Sequence, residues 1–262
     1  MTLAEAITRF LDHASQNDST VHPQPQSGIH DQALLLLTYY FSTDSTLSEI
    51  TPSRLRDFLS RWYVEKASGS KPNDSKSGER DAHSTASRIL QALNAQPTEP
   101  HQVPEPLDLL NSLAEFFKWA DQQAGADQAA EISRILIELR RSLPRALEIT
   151  NSLTRSFREH GGAFHFPEFL TSFEEGGSSQ YDIDVPGNVG AIDGYFRIIR
   201  VEGSSVEAEE LISEARVWPI VFPSEVAALL DDGYIINLEL VRKPEGWQIA
   251  GCGFAYPPGT EI

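Results

Sequence analysis

The feature that most constrains this fold is a change of hydrophobic period near Gly162. Before it, apolar residues recur every three or four positions, the spacing that lines one face of an α-helix. After it they recur nearly every second position, the spacing of a half-buried strand. One kind of element cannot serve both periods. The chain is therefore expected to be α+β in two domains, an all-α helical bundle followed by a small five-stranded β-barrel. The bundle is predicted over residues 1–160 and the barrel over 191–262, with 161–190 as a linker. A length of 262 residues accommodates both.

The helical half is punctuated by recognisable starts and stops. Thr2 followed by Glu5 forms a capping box ahead of Leu3, Ile7, Phe10, Leu11 and Ala14. Asp31 to Phe41 is apolar nearly all round, which predicts a helix buried on several sides, with a strand as the alternative for so short a run. Thr51 as N-cap and Pro52 at the first helical position precede the stripe Leu55, Phe58, Leu59, Trp62 and Tyr63. Ala86, Ile89, Leu90 and Leu93 predict a short helix, and Leu107, Leu110, Leu113, Phe117 and Ala120 a longer one that stops at Gly125. Ile132, Ile135, Leu136 and Leu139 predict another. Pro144 is expected to break it, leaving residues 146–160 as a separate helix closed by Gly161-Gly162. About seven helices result. Residues 68–81 carry no anchoring apolar side chain and are expected to form a mobile loop, and the four prolines of residues 94–106 predict an extended connector.

In the C-terminal part, residues 195–201, 206–211, 217–222, 234–241 and 247–256 are rich in β-branched and aromatic side chains and are bounded by Gly, Pro or Asp. Pro244-Glu245-Gly246 joins the last two as a hairpin, and a short helix from Ser224 to Leu230 separates the third strand from the fourth. This order fits an OB-like or an SH3-like barrel. Neither shape implies an activity by itself.

Charge narrows the class of partner. The net charge of −17 is concentrated at the C-terminal end, where residues 161–262 hold 5 Lys+Arg against 17 Asp+Glu. Such a field repels the phosphodiester backbone, whose binding depends on cationic side chains, so nucleic acid is disfavoured and a protein with a basic or mixed surface is expected. No apolar run approaches the roughly 18 residues needed to span a bilayer. Met1-Thr2-Leu3-Ala4-Glu5-Ala6 lacks the basic start of an export signal. Cys252, the single cysteine, permits neither an intrachain disulfide nor a multi-cysteine zinc site. A cytoplasmic location is expected.

The chain lacks the phosphate-binding, dinucleotide, metalloprotease and nucleophile-elbow motifs. Glu159, His160, His165 and Glu168 gather potential metal ligands near the domain junction, but their spacing matches no metal-binding pattern and an interdomain loop is expected. Asp182 and Asp184, with Asp193, fail the calcium-loop pattern at Val185-Pro186-Gly187. Cys252 between Gly251 and Gly253 is expected in the barrel interior. Trp218, Phe222, Trp247, Phe254 and Tyr256 are candidates for a protein-binding face, with the core as their other destination. No catalytic, cofactor-binding or metal-binding residue is assigned. The expected function is that of a non-catalytic interaction or adaptor module, the alternatives being a DNA-associated accessory protein and a hydrolase of unrecognised type.

The DNA alternative comes from a resemblance. Leu47-Ser48-Glu49-Ile50-Thr51-Pro52-Ser53-Arg54-Leu55-Arg56-Asp57-Phe58-Leu59 is similar to the "L-x-x-I/L-T-P-x-x-I/L-x-x-F-L" segment of the SAM-like core-binding domain of tyrosine recombinases. Ser84-Thr85-Ala86-Ser87-Arg88 and Leu113 to Trp119 resemble that domain's "S-T-x-x-R" and "L-x-x-F-F-x-W" pieces, so the likeness covers about residues 30–125. It implies a helical module that embraces DNA, with Arg54, Arg56, Arg61 and Arg88 as candidate phosphate contacts. It does not imply strand exchange, because no His-x-x-Arg follows and a β-rich domain stands where the catalytic domain would be.

Overall fold

A computed structural model describes residues 1–17, 27–69, 103–124, 128–159, 190–244 and 246–262. The expected helix at 82–93, the loop at 68–81 beyond Gly69, the connector up to residue 102 and the linker up to residue 189 lie outside the described residues. Two compact units are present, Met1–Pro144 and Arg145–Ile262. This division falls within the last long helix and not at the expected boundary, residue 160.

In the first unit, α1 (Leu3–Asn17) begins with the predicted capping box. The Thr2 N–H donates to Glu5 Oε2 at 3.1 Å and the Glu5 N–H to Thr2 Oγ1 at 3.2 Å. The apolar run around Leu34–Leu37 is helical, as α2 (Ser27–Phe41), because it packs on more than one side. Next come α3 (Pro52–Asp57), a π-turn (Phe58–Trp62) and α4 (Tyr63–Gly69) in one run. The π-turn explains how Phe58, Leu59, Tyr63 and Val64 are all completely buried. A regular α-helix would rotate Tyr63 well away from Phe58, and the wider turn brings them back to one side. The Tyr63 hydroxyl donates to the Pro104 carbonyl at 2.6 Å. α5 (Pro106–Ala124) places Phe116 and Trp119 against Phe10 of α1, with ring centroids 5.6 and 5.7 Å apart.

The helix α6 (Ala129–Glu159) corrects the sequence expectation of a break, because it runs through Pro144 without interruption. Proline deprives the Arg140 carbonyl of its partner but does not forbid continuation, and burial on both sides of Pro144 holds the helix together. Ile135 and Leu139 are buried in the first unit, whereas Ala146, Ile149 and Leu153 belong to the core of the second.

The second unit is that helical segment and a five-stranded sheet: β1 (Ala191–Glu202), β2 (Ser205–Glu210), β3 (Arg216–Val221), β4 (Ile235–Lys243) and β5 (Gly246–Tyr256), with α7 (Ser224–Ala227) between β3 and β4. The strand order is β1-β2-β3-β5-β4, and β4 also pairs with β1, which closes the circuit of pairings. All pairs are antiparallel except β3 with β5, whose ladder holds only Ile220 opposite Trp247 and Val221 opposite Gln248. Gly246, at φ +139°, starts β5 hard against β3; a Cβ there would sit 3.0 Å from the Pro219 carbonyl oxygen. Further along β5 the parallel ladder is absent and the α6 segment takes its place. The Ala255 N–H donates to Thr150 Oγ1 at 2.9 Å. Arg145 reaches Asp231 at 2.7 Å and the Ala228 carbonyl at 3.2 Å. The sheet interior, lined by Phe196, Ile198, Val206, Val217, Ile220, Ile236, Leu238 and Leu240, is thus completed by the helix.

Candidate functional site

The outer face of β1, β2 and β3 sets the exposed Trp218 among arginines and glutamates. β2 turns Val206, Ala208 and Glu210 inward and Glu207 and Glu209 outward, the two-residue period of a strand with one dry face. β3 sends Val217 and Ile220 in, and Arg216, Trp218 and Val221 out. On β1 a register shift between Ile198 and Arg200 keeps Arg197 and Arg200 both on the outer side.

The outward residues meet across the strands in alternating sign. Arg197 lies opposite Glu209 with an ion pair of 3.6 Å, and Arg200 opposite Glu207 with one of 3.4 Å. Arg200 also reaches Glu202 at 3.0 Å, and Arg216 reaches Glu207 at 3.6 Å. Pairs this exposed contribute about 0–1 kcal/mol each. Their consequence is orientation and local neutrality, since three cations face three anions. The Arg200 guanidinium lies 5.1 Å above the Trp218 ring and holds it against the sheet. Trp218 remains 38% exposed and Val221 45% exposed.

The turn after β2 is fixed from below. The Glu210 carboxylate, itself buried, accepts hydrogen bonds from the Ile212 N–H at 3.1 Å, the Ser213 N–H at 2.6 Å and the Ser213 hydroxyl at 2.6 Å. Burial pushes its pKa up, but the bonds from Ser213 and Ile212 together outweigh burial and hold it below the usual carboxylate range. Gly194 provides the room, because a Cβ there would lie 2.9 Å from Glu210 Oε1. Ile212 stands on this braced turn at 88% exposure.

The five aromatic residues singled out in the sequence divide by strand face. Phe222 and Tyr256 are core, Trp247 and Phe254 are half-buried, and Trp218 is on the surface. Trp247 lies beneath Arg242, 5.1 Å away. Cys252 is buried and its thiol is pushed up to about 12 by that burial, an environment opposite to the one that activates a nucleophile. His160, His165, Glu168, Asp182 and Asp184 lie outside the described residues. Asp193 is on β1, opposite Glu239. Among the described residues, no three of His, Cys, Asp and Glu are grouped to hold a metal ion.

No family model, curated protein or solved structure matches the chain. Residue roles therefore rest on the geometry alone. Of the arginines implied by the recombinase resemblance, Arg54 donates to the Glu49 carbonyl at 3.0 Å and lies over the Phe41 ring, Arg56 pairs with Glu138, and Arg61 lies 3.7 Å from Glu65. Arg88 is outside the described residues. No helix among the described residues is long and apolar enough to cross a membrane.

The sequence did not single out Ile212, the Glu210 brace or the charge ladder. The alternation Ser205-Val206-Glu207-Ala208-Glu209-Glu210 carries the outward carboxylates, but the register that sets arginines opposite them is not written in either strand alone.

Proposed function

We propose that this chain is a non-catalytic protein-interaction module, in which the closed sheet is a small barrel of OB type that docks a protein of mixed surface charge through Trp218. The order β1-β2-β3-β5-β4 with a parallel β3–β5 contact and a helix between β3 and β4 supports the OB-like alternative over the SH3-like one. The observation that carries the docking reading is Trp218, held by Arg200, with exposed Val221 on the same strand face and a self-neutralised ladder of ions beside it. A partly exposed tryptophan with few conformations left to lose is the kind of anchor that carries binding energy at protein interfaces. Because the arginines of this face already meet carboxylates, the patch offers no net positive charge to a phosphodiester backbone.

The acidic character expected of the barrel is consistent with this reading once it is divided. Residues 190–262 hold 5 Lys+Arg against 12 Asp+Glu, and the other five acids of the C-terminal stretch are in 161–189. The cationic part of a partner would meet Glu202, Glu207 and Glu209 by exchanging the arginines they now bind.

The test is capture from native lysate by wild-type protein and by Trp218→Ala. A partner retained by the wild type at low salt and lost with Trp218→Ala is expected. Equal retention by both proteins, or a tight shift of an oligonucleotide that Trp218→Ala abolishes, would overturn the proposal.

A further inference from the structure

The first unit holds a groove of about 460 Å³ between α5 and α6. Its floor is apolar, with Leu110 and Leu136 at the base and the small side chains Ala114, Ala130 and Ser133 along the walls. Ile137 stands on the lip at 69% exposure, which is unusual for a large aliphatic residue in a helix whose other isoleucines are buried. Its walls are two helices. The lining also has a sign. It includes Lys118 and Arg140, neither of which has an ion-pair partner among the described residues, against one acid, Asp121. Nearby Arg134, by contrast, is occupied by Glu131 at 3.5 Å and Glu138 at 3.8 Å. The lining thus carries two cations against one acid on a chain whose net charge is −17.

We infer that this groove is a docking site for an acidic amphipathic helix of a partner protein. The apolar stripe of such a helix would enter between α5 and α6 onto Leu110, Leu136 and Ile137, where the small wall residues allow close approach. Its flanking carboxylates would meet Lys118 and Arg140. Steering by opposite charge favours an acidic helix over a basic one, since the lining carries Lys118 and Arg140 against the single acid Asp121. The site is separate from Trp218, so the two proposals stand or fall independently.

A fluorescein-labelled synthetic peptide, with leucines at i, i+3, i+4 and i+7 and glutamates elsewhere, is titrated with the full chain and followed by anisotropy. A second peptide carries lysine at every glutamate position. The acidic peptide is expected to bind and the basic one not to. Ile137→Glu is expected to weaken binding at least tenfold, and because Ile137 is exposed this variant keeps the wild-type circular dichroism and melting point. Lys118→Glu combined with Arg140→Glu is expected to reverse the preference toward the lysine peptide. Absence of binding by the acidic peptide, equal binding of both peptides, or affinity indifferent to Ile137→Glu would each overturn the inference.

Discussion

At the scale of single residues, burial and hydrogen bonding set the state of two carboxylates in opposite directions. Asp31 of α2 is buried and burial alone pushes its pKa up to about 6. Glu210 is also buried, yet its three bonds from Ile212 and Ser213 hold the pKa below the usual value. A folded-state pKa lowered in this way adds stability above the unfolded carboxylate pKa, and the gain is lost as pH falls through the folded value. Glu210→Gln is therefore expected to cost on the order of 1 kcal/mol at neutral pH, as three hydrogen bonds to an ionised acceptor become bonds to a neutral amide or are lost. The difference should shrink in urea unfolding of both proteins at a series of falling pH values, as the pH passes through the lowered folded-state pKa of the wild-type carboxyl. A pH-independent difference would remove the charge from the account. The same brace explains why Ile212, in a connection of five residues, is held in place at the surface.

At the scale of elements, α6 has a role that its own periodicity does not disclose. Its stripe of Ala146, Ile149 and Leu153 is that of any amphipathic helix. What it covers is the part of β5 that has no ladder with β3, and Thr150 supplies the acceptor that a neighbouring strand would otherwise give to the Ala255 N–H. Thr150 Oγ1 also donates to the Ala146 carbonyl at 3.0 Å, so the hydroxyl is used in both senses. Thr150→Val keeps shape and burial but leaves the Ala255 N–H unmet, and a loss of about 1–3 kcal/mol is expected in chemical denaturation. Thr150→Ser, which restores the oxygen, should recover most of it. A Thr150→Val protein as stable as the wild type would mean that the N–H finds another acceptor.

At the scale of the whole molecule, the second unit begins at Arg145, and the helical segment belongs to its core. A fragment of residues 145–262 is expected to unfold cooperatively on heating. A fragment of residues 191–262 lacks Ala146, Ile149, Leu153 and the Thr150 oxygen and is expected to show no cooperative transition. Cooperative melting of the shorter fragment at the temperature of the longer one would return the boundary to residue 160. The sequence determined the class of each half, because hydrophobic period is a local property: the capping box at Thr2, the N-cap at Thr51, the five strands and the helix after β3 were all legible within short windows. It also placed Cys252 inside, since a thiol between two glycines in a strand has little else to do. Tertiary structure alone decided the continuity of α6 through Pro144, because packing on both sides of a proline outweighs one lost hydrogen bond. It alone decided that Phe222 and Tyr256 are core while Trp218 is surface, and that Arg197, Arg200 and Arg216 face Glu207 and Glu209. Those outcomes depend on register between strands distant in sequence, and register is set by the closure of the sheet around its core, a condition that no single segment contains.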